Sequence, residues 1–371
     1  MKKRIPVCAV VLAVLTLVVV LTQVWAGLFA WTRLGRLMLN SDDDPYVSVL
    51  LPDPSGEIIF AGTRLTVQGA ALVYRSDDGG ESWASAAEGL PDDLPPGAGV
   101  NERLLLPGEA PALLVGLTGR GVWRSDDGGA TWADFSDGGI KPDDTVLTLL
   151  AAPGPEPALY ALTTDGIHLR ADKWIHTMDG LPAPGDVVYN DLTLDPTQPA
   201  GRCAATNPQG LFRSDDGGRS WQAANGNLPV MGPGDIRNAR EVAVSPHTGE
   251  VFVGLRGAGL YRSADGGATW TPTQAGITYG TTPFGAIGAP VFDPDHPAVA
   301  YVFNSDGIFR SGDGGRNWKR VADGLPAAVT TTALIFPAAR DHTVYAGTSI
   351  YGVWELTKPN GGRACVPVIR R

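Results

Sequence analysis

Five carboxylates stand in one repeated setting. Asp78, Asp127, Asp216, Asp265 and Asp313 each lie two residues after a serine, two before a glycine and five before a tryptophan. Loop carboxylates invite two chemistries, calcium ligation and acid–base catalysis. The spacing suits neither: it departs from the D-x-[DN]-x-[DN]-G calcium loop, and a site that recurs is not a unique centre. A serine hydroxyl and an aspartate two residues apart instead match the side-chain caps that bond turn amides. The glycine supplies positive φ at no steric cost. The tryptophan folds back over its hairpin, with an upper bound of ~4–6 kcal/mol for its burial. A retaining glycosidase needs two carboxylates about 5 Å apart, or a tyrosine nucleophile with an acidic partner. Glu241, Asp191 and Tyr351 are of the right types, but nothing in the sequence shows that they meet.

The elements that must position these groups follow from the repeat. YRSDDGGESW contains Ser76, Asp78, Gly80 and Trp83, and WRSDDGGATW contains Ser125, Asp127, Gly129 and Trp132. FRSDDGGRSW holds Ser214, Asp216, Gly218 and Trp221; YRSADGGATW holds Ser263, Asp265, Gly267 and Trp270. FRSGDGGRNW closes the series with Ser311, Asp313, Gly315 and Trp318. The period is roughly 48 residues. LRADKW, ending at Trp174, is a shortened copy in the wide gap, and TVYAGTSIYGVWEL begins a seventh unit that NGGRACVPVI is expected to close. Each unit reads as an alternating strand, a turn, a strand ending in small residues, an aromatic-Arg-Ser strand and a last strand starting at tryptophan. Four short antiparallel strands cannot bury both faces alone, and seven such units close economically into a ring. The expected fold is all-β, a seven-bladed β-propeller over residues 41–371.

Composition agrees. Gly 48 and Pro 30 in 371 residues, with 43% apolar and 18% charged side chains, indicate many tight turns around a real core and exclude general disorder. The net charge is −10, and the first 36 residues contain five bases and no acid, so the body is more acidic still. Such a surface repels phosphate backbones, which argues against nucleic acid as a partner. Three cysteines give no disulfide framework, and five scattered histidines leave little material for zinc; no metal and no cofactor are expected.

Residues 1–40 are read as lying outside the fold. The run from Ile5 to Trp31 is apolar apart from Thr16, Thr22 and Gln23, long enough to span a bilayer, and follows a basic start. It is read as an uncleaved membrane anchor. The competing reading is a signal peptide, because Val24 and Ala26 stand at −3 and −1 of a cleavage site before Gly27. Either reading places the propeller outside the cytoplasm, anchored or secreted.

The five motifs and their flanks make the chain resemble the Asp-box, or BNR repeat, propellers from about residue 45 to the end. Within that group it is similar to the photosystem II assembly and stability factor type, and more distantly to sialidases, sortilin ectodomains and xyloglucanases. Sialidases carry an Arg-Ile-Pro signature at the first propeller strand; the string here is Arg4-Ile5-Pro6, ahead of the apolar run. The resemblance implies that the repeated turns lie opposite the binding face. Turns between strands two and three then line the mouth: Arg64, Arg120 and Arg256 in units one, two and five, Asp165, Asn207 and Asp306 in three, four and six, and Ser349 to Tyr351 in seven. Connections between units add Asn101, Glu102 and Arg103, then Tyr189, Asn190 and Asp191, then Arg237, Asn238, Arg240 and Glu241. Three arginines offer charge-assisted bonds to a carboxylate or an acidic peptide. The expected function is non-catalytic binding of a protein or peptide partner, as an assembly or stability factor for a membrane complex. The alternatives are a sialidase-like glycoside hydrolase and a cell-surface glycan-binding module.

Overall fold

The computed structural model describes residues 30–35, 37, 46–53, 57–64, 71–94, 97–106, 112–153, 157–231, 237–279, 287–321, 331–336, 344–348 and 352–357. These form seven four-stranded antiparallel sheets, one per repeat. Blade one is β2 (Tyr46–Pro52), β3 (Ile59–Arg64), β4 (Val73–Ser76) and β5 (Ala84–Ser85); blade two is β6 (Val100–Leu106), β7 (Ala112–Leu117), β8 (Val122–Ser125) and β9 (Ala133–Asp134). Blade three is β10 (Val146–Ala151), β11 (Leu159–Thr163), β12 (Gly166–Arg170) and β13 (Trp174–His176); blade four is β14 (Val188–Leu194), β15 (Arg202–Asn207), β16 (Gly210–Ser214) and β17 (Gln222–Ala223). Blade five is β18 (Ala239–Val244), β19 (Val251–Leu255), β20 (Gly259–Ser263) and β21 (Thr271–Pro272); blade six is β22 (Val291–Phe292), β23 (Ala300–Asn304), β24 (Gly307–Ser311) and β25 (Lys319–Arg320).

Blade seven departs from the expected pattern. Its first three strands are β26 (Thr331–Ile335), β27 (Val344–Thr348) and β28 (Val353–Thr357), but its outer strand is β1 (Ala30–Arg33), paired antiparallel with β28 from Ala30↔Thr357 to Arg33↔Trp354. The sequence places Ala30 and Trp31 in the apolar run and Thr32 and Arg33 in the linker, because a four-residue strand with a partner more than three hundred residues away carries no local signal. Leu34 N–H donates to the Val353 carbonyl at 2.9 Å and Leu37 is buried, so the chain stays in the fold past the strand. Residues 1–29, which hold most of the expected membrane segment, and Asn360–Ile369, the expected closing hairpin, lie outside the described residues. Among the described residues no helix is long and apolar enough to cross a membrane.

First strands of neighbouring blades pack on one another, β26 on β2, β2 on β6, β6 on β10, β10 on β14 and β14 on β18, so they form the inner wall of the ring. Six of them slip register by one residue near the start, at Ser48, Asn101, Leu147, Asn190, Arg240 and Thr332. A bulge of this kind leaves one residue unpaired and re-aims it. Ser48 Oγ donates to the Val100 carbonyl in the next blade, and Asn190 Nδ2 to that of Ala239 at 2.6 Å.

The repeated turns are built alike. Ser76 Oγ donates to Asp78 Oδ1 (2.7 Å) and accepts from Gly80 N–H (2.8 Å), while Asp78 Oδ1 accepts from Ser82 N–H (2.9 Å). The turns of Asp127, Asp216, Asp265 and Asp313 repeat these bonds. At Gly129, φ is 86° and an added Cβ would stand 2.8 Å from Phe60 of the preceding blade, so conformation and space both require glycine there.

The tryptophans do more than cover their own hairpins. Trp132 Nε1 donates back one blade to the Ala86 carbonyl (2.9 Å), Trp174 to Phe135 (2.9 Å), Trp270 to Ala224 (3.0 Å) and Trp318 to Thr273 (2.8 Å). Tyr160 of blade three returns a bond to the Gly217 carbonyl in the turn of blade four at 2.8 Å. In these blades the tryptophan is therefore a brace to the preceding blade, whereas Trp83 and Trp221 donate within their own turns to the Gly80 and Gly218 carbonyls (3.1 and 3.2 Å). Trp174, in the shortened copy, keeps the brace although its turn has lost the glycine pair.

Candidate functional site

The residues expected in blade connections lie inside first strands: Asn101, Glu102 and Arg103 in β6, Asn190 and Asp191 in β14, Arg240 and Glu241 in β18. They consequently line or flank the channel wall. Asp191 is tied down on three sides, with Oδ1 accepting from Leu192 N–H (2.8 Å) and Thr148 Oγ1 (3.3 Å) and Oδ2 from Val242 N–H (2.9 Å). It thus joins blades three, four and five. Burial, with repulsion from Glu241 behind it, pushes its pKa up to about 8 against the opposing pull of the amides. Glu241 Oε2 accepts from Ala289 N–H of the next blade at 3.0 Å, and Oε1 stands 3.7 Å from Arg240 Nε. Main-chain amides thus occupy the two carboxylates nominated for glycoside chemistry.

The three arginines differ in their surroundings. Arg64 Nη2 donates to Asn101 Oδ1 (3.3 Å), and its guanidinium lies over the Tyr46 ring. Arg120 is paired with Asp93 at 2.8 Å, a carboxylate from the proline-rich loop between blades one and two, and its own carbonyl accepts from Trp123 Nε1. Arg256 is exposed and makes no side-chain hydrogen bond or ion pair among the described residues. Of the others, Asn190 serves as an inter-blade stitch, Asn207 precedes a cis peptide bond to Pro208, and the Asp306 carbonyl accepts from Arg320. Tyr351 and the Arg103 side chain lie outside the described residues.

Asp165, in the β11–β12 turn, has neighbours that the sequence did not reveal. Its carboxylate pairs with Lys141 Nζ at 2.7 Å, and that bond holds its pKa below the usual range. One ligand atom each from Asp165, His168 and His176 lie within 4.8 Å of one another. His168 on β12 and His176 on β13 are cross-strand partners with ring centroids 5.0 Å apart. His168 is buried, and burial, followed by the neighbouring His176, lowers its pKa to about 4. The composition gave no sign of this group. The signal that was available is the near-symmetry of the two histidines about the LRADKW turn, which a hairpin register turns into a pair.

A cleft of about 640 Å³ opens between blades four and five, lined by Gln198, Arg213, Asp265 and Gly266 among others. It lies on the side of the repeated turns, away from the strand-two to strand-three turns.

No protein-family model matches the chain, and no curated protein matches it. Solved structures do. An ancestral GH74 enzyme aligns with a TM-score of 0.65 at 15% identity over 87% of this chain, which spans 46% of that enzyme's length. YCF48 bound to D1 peptide aligns with a TM-score of 0.62 at 13% identity, over 90% of this chain and 97% of that one. The extracellular domain of a putative one-component system from B. thetaiotaomicron aligns at 0.61 and 13% identity, over 87% of this chain and 40% of that one. At such identities the likeness defines the fold class, a seven-bladed β-propeller.

Proposed function

We propose that the chain is an exported Asp-box propeller that binds a protein or peptide partner on the face opposite its repeated turns and catalyses nothing. One observation carries this reading: the match to peptide-bound YCF48 covers 90% of this chain and 97% of that one, whereas the GH74 enzyme has more than twice the matched length. Arg256 supports it, since an exposed guanidinium that makes no ion pair among the described residues suits an acidic group on a partner. The apolar run before the strand at Ala30 supports export, with the propeller outside the cytoplasm, membrane-anchored, or secreted if cleaved before Gly27. The same likeness is the support for a role as assembly or stability factor for a membrane complex.

Cross-linking in membranes, with identification of the captured protein, tests the reading. One dominant partner is expected with the wild type and several-fold less with Arg256→Ala. Capture that is unchanged by Arg256→Ala but lost on altering the repeated-turn side would overturn it. A second reading, glycoside hydrolysis, draws on the GH74 likeness and on Asp191, whose raised pKa keeps it protonated as a general acid must be. Turnover of fluorogenic glycosides that vanishes in Asp191→Asn would put that reading first.

A further inference from the structure

We propose that Asp165, His168 and His176 form a binding site for a borderline divalent metal ion such as zinc, on the mouth side of blade three. The donor set is two imidazoles and one carboxylate, which suits zinc far better than the all-oxygen cations calcium and magnesium. Three protein ligands leave a fourth position open to water or to a partner's side chain.

The local architecture supports such a site. Cross-strand pairing of His168 with His176 fixes both rings on one face of the β12–β13 hairpin, and the β11–β12 turn brings Asp165 alongside. His168 is 2% exposed, so packing holds its ring in place beside the other two ligands. Its Nε2 stands 3.2 Å from Thr163 Oγ1, a hydroxyl able to orient the ring. Gly166 keeps the space clear, because a Cβ there would stand 2.9 Å from His176 Nε2 and 2.6 Å from Met178 Sδ.

Ligand atoms around a tetrahedral zinc at about 2.1 Å stand roughly 3.4 Å apart, so the group must contract by no more than about 1.4 Å. His176 is exposed and Asp165 sits in a turn, so side-chain rotation achieves this without moving a strand. Two contacts give way in the process: His176 Nε2 to the Asp165 carbonyl (2.8 Å) and Lys141 Nζ to the Asp165 carboxylate (2.7 Å). Lys141 is thus the built-in competitor of the ion. Blade three is also the blade whose repeated turn has decayed, and a site unique to one blade is where specific chemistry belongs.

The test is calorimetric titration of the chelator-treated full chain in detergent with zinc chloride, alongside His176→Ala, Asp165→Asn and Lys141→Ala, with circular dichroism confirming that each variant is folded. One equivalent is expected to bind the wild type. His176→Ala and Asp165→Asn should each weaken binding at least tenfold, and Lys141→Ala should tighten it. Cobalt loading should give the visible absorption of a tetrahedral N/O site. The proposal is overturned if zinc fails to saturate the wild type up to millimolar concentration, if the Asp165→Asn/His176→Ala double variant binds as well as the wild type, or if calcium binds equally tightly.

Discussion

Thr332 Oγ1 donates a hydrogen bond to the Val47 carbonyl, joining the first strand of the last blade to that of the first. The same type of bond runs from Ser48 to Val100 and from Asn190 to Ala239. The seam is therefore stitched on the inside as ordinary blade junctions are, and on the outside by β1 lying against β28.

Removing residues 1–36 should open that seam, whereas removing residues 1–26 should leave it intact. Losing the β1 ladder and the Leu34 bond to Val353 is expected to cost about 2–5 kcal/mol at roughly 1 kcal/mol per net hydrogen bond. Thermal unfolding of the two truncations checks this; equal midpoints would contradict the role of β1.

Trp132→Phe keeps most of the apolar contact but leaves the Ala86 carbonyl buried without its donor. We expect a loss of about 1–3 kcal/mol for the unmade bond, and about 3–5 kcal/mol for Trp132→Ala. Urea unfolding in which Trp132→Phe cost nothing would mean that the ring alone, and not the indole N–H, braces the blades.

The Asp78, Asp127 and Asp265 carboxyls are held down to about 2, above all by the hydroxyls of Ser82, Thr131 and Thr269 and the amides of the same residues. Because the folded pKa lies below the unfolded one, their stabilisation is complete above about pH 4 and disappears as pH falls toward 2. Carboxyl-carbon NMR titration should show midpoints near 2, and midpoints near 3.8 would show that these bonds do not persist in solution.

Asp191 should behave in the opposite sense. Its folded pKa of about 8 lies above the unfolded value, so the native state binds the extra proton, and stability is greatest at low pH and declines from about pH 4 to pH 8. Asp191→Asn should flatten that slope, at the cost of one junction bond, because the amide NH2 cannot accept from a main-chain N–H as the second carboxylate oxygen does. A wild-type slope unchanged by the substitution would assign the effect elsewhere.

The blades were legible because a period of short alternating strands with a fixed turn leaves few other folds. Three features escaped for physical reasons. Ala30–Arg33 is a strand whose partner lies more than three hundred residues away, and its apolar character merges with the run before it. Asn101, Asn190 and Arg240 look like loop residues, because the bulges that place them in first strands leave no mark in the residue types. Arg120 promised an open cation until the Asp93 loop was placed beside it. The His168–His176 pair depends on register, which a degenerate turn obscures.

Joining the strand made first to one made nearly last also sets a schedule. A ribosome adding about 5–20 residues per second needs roughly 15–60 s to travel from residue 33 to residue 353. Throughout that interval the blades between the two strands can form, but the ring cannot latch through β1 until β28 has been made.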